Sequence, residues 1–145
     1  MTPLFFGGRG EALSAAPRLP ALDAVLVNPG APSSTAAVYR AFDEAARGAR
    51  PDPPAMPAAF HGVREVTAFL AQTRNDLAAP AIALEPRIGE ALTALSAEPE
   101  TLLARMSGSG ATCFALCESR RDARRLADRL AAAHPAWWVR ACRLG

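Results

Sequence analysis

The sequence predicts an α+β sandwich, in which helices cover one face of a mostly antiparallel sheet. A continuous apolar run at 24–27 lies between Asp23 and the turn-forming Asn28-Pro29-Gly30, as is typical of a buried strand. Two more short apolar segments, 102–106 and 112–114, flank a glycine-rich turn and so predict a hairpin. The remaining segments repeat apolar residues mostly at helical spacing. Short strands separated by amphipathic helices favour this fold class.

The amino-terminal part of the chain contains three predicted strands and one helix. Leu4 to Phe6 is followed by two glycines, and Glu11 to Leu13 can pair with it as a second strand. A helix follows the strand at 24–27 and continues to about Arg47, and its candidate N-caps are Ser33, Ser34 and Thr35. The expected apolar stripe of this helix consists of Ala36, Tyr39, Phe42 and Ala46.

The middle of the chain is predicted to be helical after a proline-rich surface loop at 48–62. The prolines there remove backbone donors and favour extended backbone, within one domain that covers residues 1–145. A short helix is expected at 63–73, with Val66, Phe69 and Leu70 on one side. Asn75 or Asp76 can cap the next helix, which Pro86 kinks or divides. Beyond it, the residues expected to face the core are Ile88, Ala91, Leu92 and Leu95.

A helix that begins after Ser119 and a closing strand at 137–144 complete the predicted sandwich. The apolar stripe of this helix comprises Ala123, Leu126, Ala127, Leu130 and Ala131. Its outer face carries Arg120, Arg121, Arg124, Arg125 and Arg129. Such a face is usually solvated, with Arg124 and Asp128 at ion-pair spacing. An arginine-helix nucleic-acid binder is the alternative, although no aromatic residues are interleaved for base stacking.

The glycine-rich turn Ser107-Gly108-Ser109-Gly110 is the strongest candidate for a functional segment. Glycines permit positive φ and let a ligand or another backbone approach where a Cβ would clash, and successive amides can converge on an anion. A plain hairpin turn is the competing interpretation. The segment is no Walker A loop, because the chain contains no lysine. It also lacks the third glycine of a dinucleotide fingerprint and precedes a strand rather than a helix.

Composition excludes several classes of function. The formal net charge is only +2, so no global field favours nucleic acid or acidic lipid. Cys113, Cys117 and Cys142 are too few for a disulfide framework and lack the paired spacing of zinc ligands, so no metal site is expected. No apolar run approaches the length of a membrane span, which predicts no membrane association and a cytoplasmic location.

Four segments in the same order resemble the galactokinase, homoserine kinase, mevalonate kinase and phosphomevalonate kinase superfamily. They are GRGE at 8–11, LVNPGAPSST at 26–35, NDL at 75–77 and RMSGSGATCF at 105–114. The sequence of the last segment is most similar to that of the 4-diphosphocytidyl-2-C-methyl-D-erythritol kinases of the non-mevalonate isoprenoid pathway. One departure is Ala36, where relatives commonly have a proline.

The resemblance implies a fold, a reaction and a set of site residues. The fold is the ferredoxin-like second domain of the superfamily, and the reaction transfers the γ-phosphoryl of ATP to the 2-hydroxyl of 4-diphosphocytidyl-2-C-methyl-D-erythritol, with ATP and Mg²⁺ as cofactors. In relatives the residues at Thr35 and Tyr39 line the substrate pocket, with the aromatic ring stacked on cytosine. The turn Ser107 to Gly110 supports the phosphate loop.

Relatives hold the catalytic lysine, the catalytic aspartate and the phosphate loop in their first half, which this sequence does not match. We therefore expect a carboxy-terminal, substrate-side half whose partner is an absent amino-terminal ATP-binding domain. Alone it should contain no catalytic residue, bind neither ATP nor Mg²⁺ tightly, and be inactive. A stand-alone ferredoxin-like module that binds a small ligand or a second copy of itself is the remaining alternative.

Overall fold

The computed structural model describes residues 4–7, 12–15, 19–45 and 54–144, and for 4–7 and 12–15 it describes the backbone alone. The strands are β1 (Leu4–Gly7), β2 (Ala12–Ala15), β3 (Leu22–Asn28), β4 (Leu103–Met106), β5 (Cys113–Cys117) and β6 (Trp138–Leu144). The helices are α1 (Thr35–Glu44), α2 (Val63–Leu70), α3 (Ala78–Leu84), α4 (Pro86–Ser96) and α5 (Arg120–Ala133).

The fold class predicted from the sequence is confirmed. Four strands form an antiparallel sheet in the order β4-β5-β3-β6, and β1 and β2 form a separate antiparallel hairpin. Val25 at the centre of β3 lies opposite Ala115 of β5 on one side and Ala141 of β6 on the other. Since β3 makes both of these pairings, it is the structural centre of the main sheet.

The larger core lies between one face of this sheet and the helices α1, α3, α4 and α5. Alternate residues of β3 and β5 point into it, among them Val25, Val27 and Cys113, all fully buried. The helices contribute Val38, Ala81, Ile88, Leu95, Leu126 and Leu130. Pro86 divides α3 from α4, as its sequence position predicts, and Glu85 accepts a hydrogen bond from the Arg87 amide at the start of α4.

A second core cluster on the opposite sheet face was not anticipated. Leu22, Ala24, Leu103 and Leu116 lie there beneath Phe60 and α2, and Val66 of α2 is buried. Phe60 meets Phe69 edge to face at 5.5 Å between ring centroids. Phe60 belongs to the predicted loop at 48–62, of which the structure describes 54–62. This end of the loop therefore packs onto the sheet by one aromatic residue.

The predicted apolar stripe of α1 is wrong. Val38 is its one buried residue, whereas Ala36 is exposed and Tyr39 is 49% exposed. The helix also ends at Glu44 instead of near Arg47, and Ala46 and Arg47 lie outside the described residues. The error arose because Tyr39 was counted as an apolar position. The ring instead faces outward, where a ligand can reach it.

No helix among residues 19–45 and 54–144 is both long and apolar enough to cross a lipid bilayer.

Candidate functional site

The sheet register brings two loops to the same end of the molecule. The end of β3 meets the start of β5, because Val27 lies opposite Cys113, and Cys113 in turn lies opposite Met106 of β4. The loop that leads from β3 into α1 and the glycine-rich turn between β4 and β5 therefore leave the sheet side by side. Antiparallel pairing thus brings the two predicted site segments to the same end of the sheet.

The glycine-rich turn, residues 107–110, is closed by its own backbone. The amide of Gly110 donates to the carbonyl oxygen of Ser107 at 3.0 Å, and the amide of Ser107 donates to that of Thr112 at 2.8 Å. Gly108 and Gly110 have φ values of +55° and +85°. Only glycine adopts this left-handed region without a steric cost, so both positions require it.

The two glycines have different surroundings. A Cβ at Gly110 would lie 3.0 Å from Met106 Sδ and 3.1 Å from Ile88 Cδ1, whereas nothing lies within 4 Å of a Cβ at Gly108. Gly110 thus packs against the core, and Gly108 faces open space. A plain hairpin turn therefore describes the packed Gly110, and a turn that a ligand can approach describes the open Gly108.

The start of α1 is hydrogen-bonded to the glycine-rich turn. The hydroxyl of Ser33 donates to the carbonyl oxygen of Ser109 at 2.9 Å, and the hydroxyls of Thr35 and Ser109 are 3.0 Å apart. Ser34 is the helix N-cap and accepts from the amide of Ala37 at 3.2 Å. Of the three predicted N-cap candidates, one caps the helix and the other two contact the turn.

Tyr39 lies one helical turn beyond Thr35, on the same side of α1. Its half-exposed ring and the paired hydroxyls of Thr35 and Ser109 therefore occupy one surface. One hydroxyl of the pair donates to the other, which leaves a second hydroxyl proton free for a ligand. This surface contains Thr35, Tyr39, Gly108 and Ser109, and we call it the turn-helix surface.

Asn75 holds the other side of the turn, a role that the sequence reasoning missed. Its side-chain amide donates to the carbonyl oxygens of Met106 at 3.0 Å and Gly108 at 2.8 Å. Its Oδ1 accepts from the amide of Leu77 at 3.0 Å. Asn75 or Asp76 was expected to cap the next helix, but α3 begins at Ala78 and Leu77 is its N-cap. The only sequence signal was the NDL segment of the family resemblance.

A groove with a volume of about 330 Å³ lies beside Asn75 and Met106. Arg105 forms part of its wall, and the guanidinium donates to the carbonyl oxygens of Leu70 at 3.1 Å and Thr73 at 3.3 Å. Leu70 is the last residue of α2, and its carbonyl oxygen also accepts from the amide of Thr73 at 2.9 Å. Arg105 is therefore a structural link between β4 and α2.

The chemistry available at the turn-helix surface is binding rather than proton transfer. Its groups are hydroxyls, backbone amides and an aromatic ring. Cys113 lies at the base of the turn, but burial raises the pKa of its thiol to about 11, so it is protonated at neutral pH and is no nucleophile. The described residues contain no group of three or more side chains that could hold a metal ion.

A known protein family matches this chain. The family model described as "GHMP kinases C terminal" matches residues 60–136, more than half of the chain. The chain belongs to the GHMP kinases, as their C-terminal domain. This confirms the resemblance inferred from the four sequence segments.

The relatives that this chain matches are kinases about twice the length of this chain. A 4-diphosphocytidyl-2-C-methyl-D-erythritol kinase of Caulobacter sp. (strain K31) is 60% identical over 99% of this chain and 49% of its own length. A kinase of the same name from Hyphomonas neptunium is 50% identical over 99% of this chain. The chain thus spans about half the length of the curated relatives that it matches.

Solved structures give the same result for the fold. A crystal structure of 4-(cytidine 5'-diphospho)-2C-methyl-D-erythritol kinase superposes with a TM-score of 0.68 and 32% identity, over 95% of this chain and 48% of that one. Mevalonate kinase of L. major, solved with R-mevalonate, superposes with a TM-score of 0.55 and 13% identity, over 95% of this chain and 47% of that one. The second similarity concerns the fold alone.

The contrast between the glycines predicts unequal effects of the same substitution. Gly110→Ala combines left-handed strain with crowding against Met106 and Ile88, so it should lower the free energy of unfolding by about 3 kcal/mol. Gly108→Ala has only the strain and should cost about 1 kcal/mol. Urea unfolding of both variants measures the difference. Equal losses would show that the packing around Gly110 is not as described.

Asn75→Asp should destabilise the chain by about 2 kcal/mol at neutral pH, because the donors to Met106 and Gly108 are replaced by a carboxylate. The pKa of the new carboxyl should rise on folding, so the penalty should decrease as pH falls, because the protonated carboxyl can donate to one of the two carbonyls. Asn28→Asp is the matched control. Its partner, the hydroxyl of Thr112, can reverse and donate. Equal destabilisation of both variants in urea unfolding would contradict the role of Asn75.

Proposed function

We propose that this chain is the substrate-side half of an ATP-dependent kinase that phosphorylates the 2-hydroxyl of 4-diphosphocytidyl-2-C-methyl-D-erythritol, a step of non-mevalonate isoprenoid biosynthesis. The observation that carries the proposal is the hydrogen bond between Thr35 and Ser109. It joins the two segments that match the kinases most closely, 26–35 and 105–114, into one surface. The names of the similar kinases support the choice of substrate.

The turn-helix surface suits a ligand that has a flat ring at one end and negative charge at the other. The exposed face of Tyr39 is available for stacking on a cytosine ring. The first turn of α1 and the hydroxyls of Thr35 and Ser109 supply donors for a diphosphate. In this proposal Tyr39 selects the base, and the hydroxyls orient the diphosphate.

The reaction requires parts that the described residues do not supply. Phosphoryl transfer needs a cradle for the ATP phosphates, Mg²⁺ to neutralise charge, and a group that accepts or orients the hydroxyl proton. The sequence contains no lysine, and residues 19–45 and 54–144 include no acidic or histidine cluster that fits a metal. The proposal assigns ATP, Mg²⁺ and the catalytic groups to an amino-terminal kinase half, against which Gly108 packs.

The isolated chain should therefore show no phosphorylation of the substrate above background. Co-expression with the amino-terminal half of the Caulobacter kinase should restore turnover, because that half supplies the catalytic parts. In the reconstituted enzyme, Tyr39→Ala should lower kcat/KM by roughly tenfold or more, since stacking on one base is worth about 1–3 kcal/mol. Tyr39→Phe should retain most of the activity.

Trp138→Ala is the matched control, because Trp138 is 47% exposed, close to the 49% of Tyr39, but lies on β6. This variant should leave kcat/KM unchanged. Turnover by the isolated chain that survives purification and vanishes with Tyr39→Ala would overturn the assignment of catalysis to a second half. Equal losses with Tyr39→Ala and Trp138→Ala would overturn the role of Tyr39.

A further inference from the structure

A second cavity, of about 100 Å³, lies between the start of α5 and the edge strand β6. Its charged lining comes from three separate elements, namely Arg120 and Arg124 of α5, Arg143 of β6 and Asp23 of β3. Ala123 and Ala141 are also in its wall. None of these residues belongs to the turn-helix surface. The cavity is therefore a candidate for a separate function.

The fold places these charges together. Arg120 and Arg124 are four residues apart and share one side of α5. Arg143 lies directly opposite Asp23 in the register of β6 and β3. The small side chain of Ala123, which is buried, lets the helix lie close to the sheet at this point. Residues distant in sequence thus converge on one small space.

Three arginines line this cavity, and none of them has a partner among the described residues. Among the described residues, Arg120, Arg124 and Arg143 take part in no ion pair or hydrogen bond, and Arg124 does not form the expected pair with Asp128. Other arginines of the chain differ: Arg64 pairs with Glu118, Arg87 with Glu85, and Arg129 with Glu98 and Glu100. A single carboxylate, that of Asp23, opposes the three positive charges in the cavity.

We propose that this cavity, the arginine cavity, binds a small oxyanion of the phosphate class. The guanidinium group matches a phosphate by paired, charge-assisted hydrogen bonds, and three of them around one space outweigh one carboxylate. The volume selects the ligand, because about 100 Å³ is well below the roughly 300 Å³ of typical organic-ligand sites. A phosphate group fits within this volume, whereas a nucleotide base would extend beyond it. The anion is free phosphate or a terminal phosphate group of a metabolite.

The neighbouring arginines separate this proposal from nucleic-acid binding. Arg121 and Arg125 lie on the adjacent side of α5 and do not line the cavity. A polyanion that lies along the helix would use both pairs of arginines, and its binding would fall steeply with salt. A small anion in the cavity depends on Arg120, Arg124 and Arg143 alone.

The test is titration of the whole chain with inorganic phosphate at constant ionic strength, followed by NMR of the arginine side-chain N–H groups. Saturable binding is expected, with shifts at Arg120, Arg124 and Arg143. Arg124→Gln should weaken it by roughly tenfold or more, because it removes a charged donor. Asp23→Asn should tighten it several-fold, since the variant removes the one opposing charge. Arg121→Gln and Arg125→Gln are matched controls and should leave the affinity unchanged.

Three further arms decide between the possible ligands. Methyl phosphate represents a terminal phosphate group, and tighter binding than inorganic phosphate would identify a phosphorylated metabolite as the ligand. Absence of saturable binding to both anions would overturn the proposal, as would equal losses of affinity in Arg124→Gln and Arg121→Gln.

Duplex DNA is the arm that tests nucleic-acid binding. DNA binding that is tighter than phosphate binding, and that depends equally on Arg121 and Arg124, would replace the proposal with nucleic-acid binding. Arg143 lies on β6 and not on α5. Arg143→Gln should therefore also weaken phosphate binding, which checks that the loss in Arg124→Gln is not caused by a change in α5 alone.

Discussion

The arrangement of the turn-helix surface depends on hydrogen bonds that hold the glycine-rich turn from two sides. Ser33 and Thr35 bind Ser109 from the start of α1, and Asn75 binds the carbonyls of Met106 and Gly108 from the loop before α3. Turns rich in glycine have many accessible conformations, so fixing one of them needs such contacts. With these contacts, Gly108 remains open and Gly110 is packed.

These contacts are possible because the core positions the elements that make them. Val27 and Cys113 are fully buried partners at the end of the sheet, so the loop after β3 and the turn before β5 emerge together. Ile88 of α4 is also fully buried and approaches the turn at Gly110. Substitutions in this part of the core should therefore affect the surface as well as stability. Packing, the turn and the turn-helix surface form one connected unit.

Much of the fold could be predicted from the sequence, because it follows from local patterns. The buried strand β3, the hairpin around the glycines and the division at Pro86 each have a clear signal in apolar runs, glycine or proline. The position of α2 had no such signal. Its amphipathic pattern predicts burial of Val66, but nothing in a single sequence says which sheet face a helix covers.

The family resemblance predicts the members of the candidate site, but not the contacts between them. Thr35, Tyr39 and the turn at 107–110 came from the family resemblance, and the structure brings Thr35 to Ser109. Asn75 was mistaken for a helix cap because an asparagine before a helix usually has that role. Its bonds to Met106 and Gly108 span 31 and 33 residues, so no local pattern reports them. The solvent-facing ring of Tyr39 was likewise assigned to the apolar stripe.

The most direct measurement of the central claim is an NMR titration of the chain with cytidine 5'-diphosphate, observed at the backbone amides. Even weak binding should shift the amides of Thr35, Tyr39 and Ser109 together, with one common saturation curve, because one ligand contacts both segments. Shifts confined to other parts of the chain, or unequal curves for Thr35 and Ser109, would contradict the claim that α1 and the glycine-rich turn form a single binding surface.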